Sequence, residues 1–286
     1  MNEKKESKDD LKVKLTRDLE ATGYPVELRA GNAFAISGWT VHYNVYYTDW
    51  DERKGREIDL VVCNGVSSKK HNVGVTLYLV SQVKKSADPW VIFTTKSAGE
   101  MAGLDEPAWS RLHVAFDEID YHVLPADKIR ARSTIHKFQR YGHSYYVAFG
   151  GSQSKPTIFE ALTSSVKASE DFLRDFNESI RQEEERLGRR VKEGRQLWLI
   201  EPIVILDGLL YETYLDKYNK LVTDRVNHIP VCFGYVSPQY RRAGFSSEYV
   251  VEIVTMDTLH ELISNKMKWL ESIKRTIVNN ISKRSA

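Results

Sequence analysis

Cysteine is scarce: two in 286 residues, Cys63 and Cys232, which leaves no basis for a disulfide framework. Both sit inside apolar runs, where buried reduced thiols are the ordinary outcome, and this fits a reducing cytoplasm. No run approaches the roughly 18 consecutive apolar residues of a membrane-spanning helix. The opening MNEKKESKDD lacks the apolar region of a secretory signal, so a cytoplasmic protein with a short frayed start is expected, with no membrane partner. An excess of one charge is also missing: the net charge is +2, so any nucleic-acid surface must be a local patch. There is no phosphate-binding Gly-x-x-x-x-Gly-Lys and no dinucleotide Gly-x-Gly-x-x-Gly. The histidines, His113, His122, His136 and His143 among them, show no metal-ligand spacing. Internal repeats and long Pro/Gly/Ser linkers are absent as well.

What is present suits one elaborated α/β domain. A 42% hydrophobic, 28% charged chain of this length can bury a sizeable core. Leu11, Leu15 and Leu19 recur every four residues and predict an amphipathic helix over 9–22, stopped by Gly23 and Pro25. The aromatic and β-branched run 33–48 reads as strand, followed by strands over 56–63, 74–84 and 90–95. A helix is expected over 107–121, opening near Asp105 and Pro107. Another starts near Pro156, where Thr157 and Glu160 have capping-box spacing, with Ile158, Leu162, Val166, Leu173, Phe176 and Ile180 as its stripe. The mixed-sign RQEEERLGRRVKEGR reads as a solvated surface. Residues 196–215 read as two strands joined in a hairpin at Asp207-Gly208. Strands over 230–236 and 248–255 precede a final helix over 257–281. The expected organisation is a core motif region over 9–95, a helical insertion over about 105–195, and C-terminal strands and helix over 196–281.

The chemistry concentrates in GREIDLVV and VTLYLVSQVKKSADPWVIF, which read as neighbouring buried strands yet carry Asp59, Gln82 and Lys84. Burying charge is costly unless it is paired or holds a metal. An antiparallel hairpin centred between Lys69 and Lys70 places Asp59 opposite Val80, within two places of Gln82. Gln82 and Lys84 share a face because side chains alternate along a strand. A carboxylate, an amide oxygen and the main-chain carbonyl of Val83 suit a hard divalent cation rather than zinc. A buried Asp–Lys salt bridge accounts for the same residues without catalysis. Ser81 and Lys84 also match a Ser-x-x-Lys string, but that pairing needs a helix, and on a strand the two side chains point to opposite faces.

At these residues the sequence resembles the PD-(D/E)XK nuclease superfamily, which has the restriction-endonuclease-like fold. That family places an Asp on one core strand and Glu-x-Lys on the next; here REID supplies Asp59, and QVK supplies Gln82 and Lys84 in the Gln-x-Lys version of Mrr-like enzymes. The resemblance covers residues 9–95. It implies a mixed β-sheet flanked by helices. It also implies Mg²⁺, with Mn²⁺ as substitute, held by Asp59, Gln82 and Val83, and hydrolysis of phosphodiester bonds of DNA in restriction, repair or phage defence. Lys84 then orients the attacking water or stabilises charge building on the phosphorane. The family's first-helix acid falls nearest Asp10, with Asp9 and Glu20 as rivals. Gln82 in place of the usual acid removes one negative charge, and a non-catalytic member that binds nucleic acid or a partner protein is the alternative. The resemblance is also compatible with a homodimer.

Residues 128–159 contain no Asp or Glu. They hold Lys128, Arg130, Arg132, Lys137, Arg140 and Lys155, interleaved with Phe138, Tyr141, Tyr145 and Tyr146. Cations bind phosphates and aromatic rings stack on bases, so Arg130, Arg132, Lys137 and Arg140 are the candidate nucleic-acid contacts; a surface loop with its aromatics packed on the core is the other reading. Neutralising Arg130 and Arg132 together is expected to flatten the salt dependence of DNA binding, measured by titrations across ionic strength; an unchanged slope would remove them from the interface.

Overall fold

The computed structural model describes residues 8–96, 113–116, 140–149, 157–187, 195–240 and 248–284. The chain begins with two helices, α1 (Lys8–Ala21) and α2 (Tyr24–Ile36). Gly23 does end the first helix, but Pro25 then opens a second, because proline fits the first helical turn, where its missing N–H costs nothing. The strand expected from residue 33 therefore starts only at Thr40. Val26, Ala30, Ala33 and Phe34 are buried at helical spacing on the core. A short aromatic-aliphatic run such as AFAI suits either state, and the tertiary core decides it. The end of α2 is a Schellman cap. Gly38, at φ +79°, donates its N–H to the Ala35 carbonyl (3.0 Å), and Trp39 N–H reaches the Phe34 carbonyl (3.1 Å). The Trp39 ring packs edge-on against Phe34, centroids 5.4 Å apart.

Next come β1 (Thr40–Asp49), β2 (Lys54–Ser68) and β3 (Val73–Lys85), an antiparallel meander. The β2–β3 connection is a 3₁₀ turn at Lys69–His71, closed by Asn72 in the left-handed region (φ 50°). This turn shifts the register by two residues from the expected one. Leu60 pairs with Ser81, which brings Asp59 beside Gln82 rather than Val80. A two-residue shift leaves every side chain on its own face.

The remaining elements are β4 (Trp90–Lys96), β5 (His113–Phe116), β6 (Arg140–Val147), α3 (Thr157–Leu187), β7 (Arg195–Asp207), β8 (Leu210–Leu215), β9 (Leu221–Val226), β10 (His228–Gly234), β11 (Glu248–Thr255) and α4 (Leu259–Arg284). All described strands join one mixed sheet in the order β1-β2-β3-β7-β11-β10-β6-β4-β8-β9, with β5 on β7. The protein is thus α/β with a large mixed sheet flanked by helices. On one face α2 and α4 share a core with β2, β3 and β7; α3 packs on the other.

Two local expectations give way to sheet geometry. Where a helix was expected over 107–121, the described part is β5, antiparallel to the first half of β7. That half of β7 has β3 on one side, and β11 begins only beside its second half, so an edge stands open there. At Asp207-Gly208 there is no hairpin: β8 lies parallel to β4, not against β7. The ribbon β3–β4 and the ribbon β7–β8 bend together, tied by Ser86 N–H to the Asp207 carbonyl (3.0 Å) and Trp90 N–H to the Leu209 carbonyl (2.8 Å). Glycine is needed at 208 for close approach, since a Cβ there would stand 2.7 Å from the Ser86 carbonyl oxygen. Because β4 and β8 continue β3 and β7, the path through β11, β10 and β6 returns to the ribbon it started from, and the sheet is rolled on itself. Among the described residues no helix is long and apolar enough to cross a membrane.

One buried ion cluster fastens α4 to this sheet. Lys266 Nζ lies 2.6 Å from both Glu201 on β7 and Glu252 on β11, and His228 of β10 contacts Glu252 at 2.8 Å. Burial works against the Glu252 carboxylate, yet Lys266 and His228 hold it well below the usual carboxylate range. The ammonium of Lys266 is likewise disfavoured by burial, but the two glutamates raise its pKa. Lys266→Ala, which strands both carboxylates, is expected to destabilise the fold by about 3–5 kcal/mol, read from the urea midpoint; a loss no larger than a surface substitution would show that the cluster is not a fastening.

Candidate functional site

Three of the residues expected in the site, Asp59, Gln82 and Lys84, lie together at the end of the β2–β3 pair. Gln82 is buried, while Asp59 and Lys84 are half-buried. The Asp59 Oδ2 atom accepts two hydrogen bonds, one from the main-chain N–H of Val83 at 2.6 Å and one from the Gln82 side-chain amide. A carboxylate only accepts, so the Gln82 nitrogen must face it, and the amide oxygen occupies the other branch. Burial raises the Asp59 pKa; the Val83 N–H, Lys84 and Gln82 oppose that rise, and Glu57 adds to it.

A second carboxyl belongs here that the sequence reading did not select. Glu27, half-buried on α2, has its pKa raised first by burial and then by the negative charge of Asp59, with Lys84 pulling the other way. Glu27 follows Val26, the first buried residue of α2, on a helix whose apolar face shares a core with β2 and β3. Ending the N-terminal helical region at Gly23 hid this residue; a proline in the first turn of a new helix, followed by an apolar stripe at 26, 30 and 34, was the signal that could have found it.

Asp10, by contrast, is an exposed residue near the start of α1. Glu20 near the end of α1 contacts Arg29 at 3.3 Å, and its main-chain carbonyl accepts from Lys85 Nζ at 2.6 Å, which ties α1 to β3. Of the expected nucleic-acid contacts, Arg130, Arg132 and Lys137 lie outside the described residues, as do Lys128, Phe138 and Lys155. Arg140 begins β6, which is separated from β3 in the pairing order by β7, β11 and β10. Its guanidinium stacks 3.4 Å above the Tyr214 ring.

Another charged cluster is fully occupied with itself. Lys167 on α3 contacts Asp49 (2.8 Å) and Asp51 (3.0 Å); Arg56 adds a 2.9 Å contact to Asp49, and Tyr235 and Ser237 donate to Asp51. Burial opposes ionisation of both aspartates, but Lys167 and the main-chain N–H groups of Glu52 and Asp51 lower the pKa of Asp49, and Ser237, Tyr235 and Lys167 lower that of Asp51. The cluster latches the β1–β2 turn and α3 to the chain after β10.

Among the described residues no group of three or more His, Cys, Asp or Glu side chains is arranged to hold a metal ion. A cation at the first site would rest on two carboxyls, Asp59 and Glu27, completed by amide and main-chain oxygens at Gln82 and Val83. Such an all-oxygen set fits a hard divalent cation, and the unfavourable proximity of the two carboxyls is what a cation would relieve. No family model matches this chain, and no curated protein or solved structure does either.

The two raised carboxyls carry a pH signature. Each binds its proton more tightly folded than unfolded, so in chelator their contribution to stability is greatest below the ordinary carboxylate range of about pH 4 and is lost as pH rises through the raised values. Added Mg²⁺ is expected to raise the melting temperature above that range, through preferential binding to the folded state. Glu27→Gln should flatten both the pH trend and the Mg²⁺ response. Melting curves from pH 4 to 8 in EDTA or Mg²⁺ check this, and identical Mg²⁺ responses in wild type and variant would exclude Glu27 from a cation site.

Proposed function

We propose that the protein is a Mg²⁺-dependent nuclease that hydrolyses phosphodiester bonds of DNA, with Mn²⁺ as a substitute, on a restriction-endonuclease-like core formed by β1, β2, β3 and β7 between α2 and α3. The observation that carries this reading is the joining of Asp59 to the Gln82-x-Lys84 strand by two hydrogen bonds, beside a Glu27 carboxyl whose pKa is raised by burial and by the charge of Asp59.

Asp59 and Glu27 supply the negative charge that draws a cation, and the Val83 N–H and Gln82 amide hold Asp59 in one orientation. When bound, the metal polarises a phosphoryl oxygen and acidifies a bound water. Lys84, on the same strand face as Gln82, orients the attacking water and balances charge building on the phosphate. Substrate phosphates meet a site whose cation and Lys84 offset the acids around them.

A second reading is favoured by one feature: Asp59 Oδ2 is already engaged by two N–H donors, and a glutamine stands where an acid would add charge. That describes a non-catalytic protein of the same architecture that binds nucleic acid or a partner protein. Cleavage assays on DNA and RNA panels in Mg²⁺ or Mn²⁺ separate the two. The nuclease reading expects cleavage that chelator abolishes and that Asp59→Ala and Lys84→Ala each reduce by at least about 100-fold with the fold intact. DNA binding without cleavage across the panel would move the assignment to the second reading.

A further inference from the structure

Away from the Asp59 site, the sheet forms a cleft of about 410 Å³ where β6, β4, β8 and β9 lie side by side. That size is within the range of small-molecule sites. Its charge arrangement is unusual. Lys96 of β4 and Arg140 of β6 stand directly opposite each other in register. Like charges in facing positions of an antiparallel pair repel. Lys96 is exposed and has no side-chain partner among the described residues. Arg140 reaches Glu212 only at 4.0 Å, and Glu212 also accepts from Thr94 Oγ1 at 3.4 Å. The pair is therefore under-compensated, and an anion between the two cations would turn repulsion into attraction.

The rest of the cleft combines apolar and aromatic side chains with three threonines and His143. Leu215 and Leu221 face each other across β8 and β9 and are 61% and 67% exposed. Phe93 lines the wall, and Tyr214 fixes the Arg140 guanidinium plane from below at 3.4 Å. A stacked guanidinium keeps its N–H edges for a phosphate and its outer face for a planar ring. Tyr214 is itself held, donating its hydroxyl to Asp224 at 2.9 Å.

We propose that this cleft binds a nucleoside phosphomonoester, with the phosphate between Lys96 and Arg140 and the base against Leu215, Leu221 and Phe93. The shared chemistry belongs both to a free mononucleotide and to the 5′-phosphorylated end of a strand. The proposal stands independently of phosphodiester cleavage, and testing it in EDTA keeps the two apart.

Calorimetric titration of the full chain with dAMP, deoxyadenosine and inorganic phosphate is the test. The expected result is binding of dAMP, with both other compounds weaker by at least about tenfold, and a similar loss of dAMP affinity in Lys96→Gln and in Arg140→Gln. Lys96 is exposed, so its variant should keep the wild-type melting curve, which is measured alongside. Competition by a 5′-phosphorylated but not a 5′-hydroxyl oligonucleotide assigns the strand end, and absence of competition assigns the free nucleotide. No dAMP binding, equal binding of deoxyadenosine or phosphate, or wild-type affinity in both variants would overturn the proposal.

Discussion

The parallel pairing of β3 with β7 is the constraint on which the rest of the molecule depends. All 13 residues of β3 pair in register with the 13 of β7, from Val73 beside Arg195 to Lys85 beside Asp207. Parallel neighbours need a long crossover, and here more than a hundred residues of chain, including α3, intervene. Once the ladder closes, the two ribbons must bend at the same place, which is why Gly208 approaches Ser86 and why β4 and β8 continue side by side. The cleft beside Lys96 and Arg140 lies on the strands that continue past that shared bend.

The same ladder sets the electrostatics. Glu201 on β7 and Glu252 on β11 are brought beneath Lys266, so one buried cation serves two strands and a helix. Buried charges of this kind are weak evidence of net stability, because desolvation opposes them, but they tolerate only one arrangement of partners. The Asp59 site differs in kind. There the carboxyls of Asp59 and Glu27 are raised by burial and by neighbouring negative charge rather than lowered by a saturating cation. Contrast with Lys167, which contacts Asp49 and Asp51 and lowers both, separates a structural latch from a pair of carboxyls raised chiefly by burial.

Three residues of the candidate site were legible in the sequence. Asp59, Gln82 and Lys84 stood out because polar residues interrupted strand-like runs, and period-2 alternation put Gln82 and Lys84 on one face. The register was off by two, since turn centre depends on a 3₁₀ turn and a left-handed Asn72 that composition alone does not reveal. Glu27 was missed because the helix that carries it hides behind a Gly23-x-Pro25 signal that marks both an ending and a beginning. The Asp207-Gly208 dipeptide misled for a related reason: glycine answers to close approach as well as to turn conformation.

What the sequence determined by itself was local: the start of α3 and its apolar stripe, the strand character of 56–63, 74–84 and 90–95, and the chemistry available on β3. These follow from periodicity and side-chain type, which act over a few residues. Tertiary structure decided that AFAI is helix, that HVAF is strand, that β8 leaves β7 for β4, and that Lys96 faces Arg140. Short apolar runs are compatible with either state, and strand partners far apart in sequence are chosen by which edges remain open once the central ladder has formed.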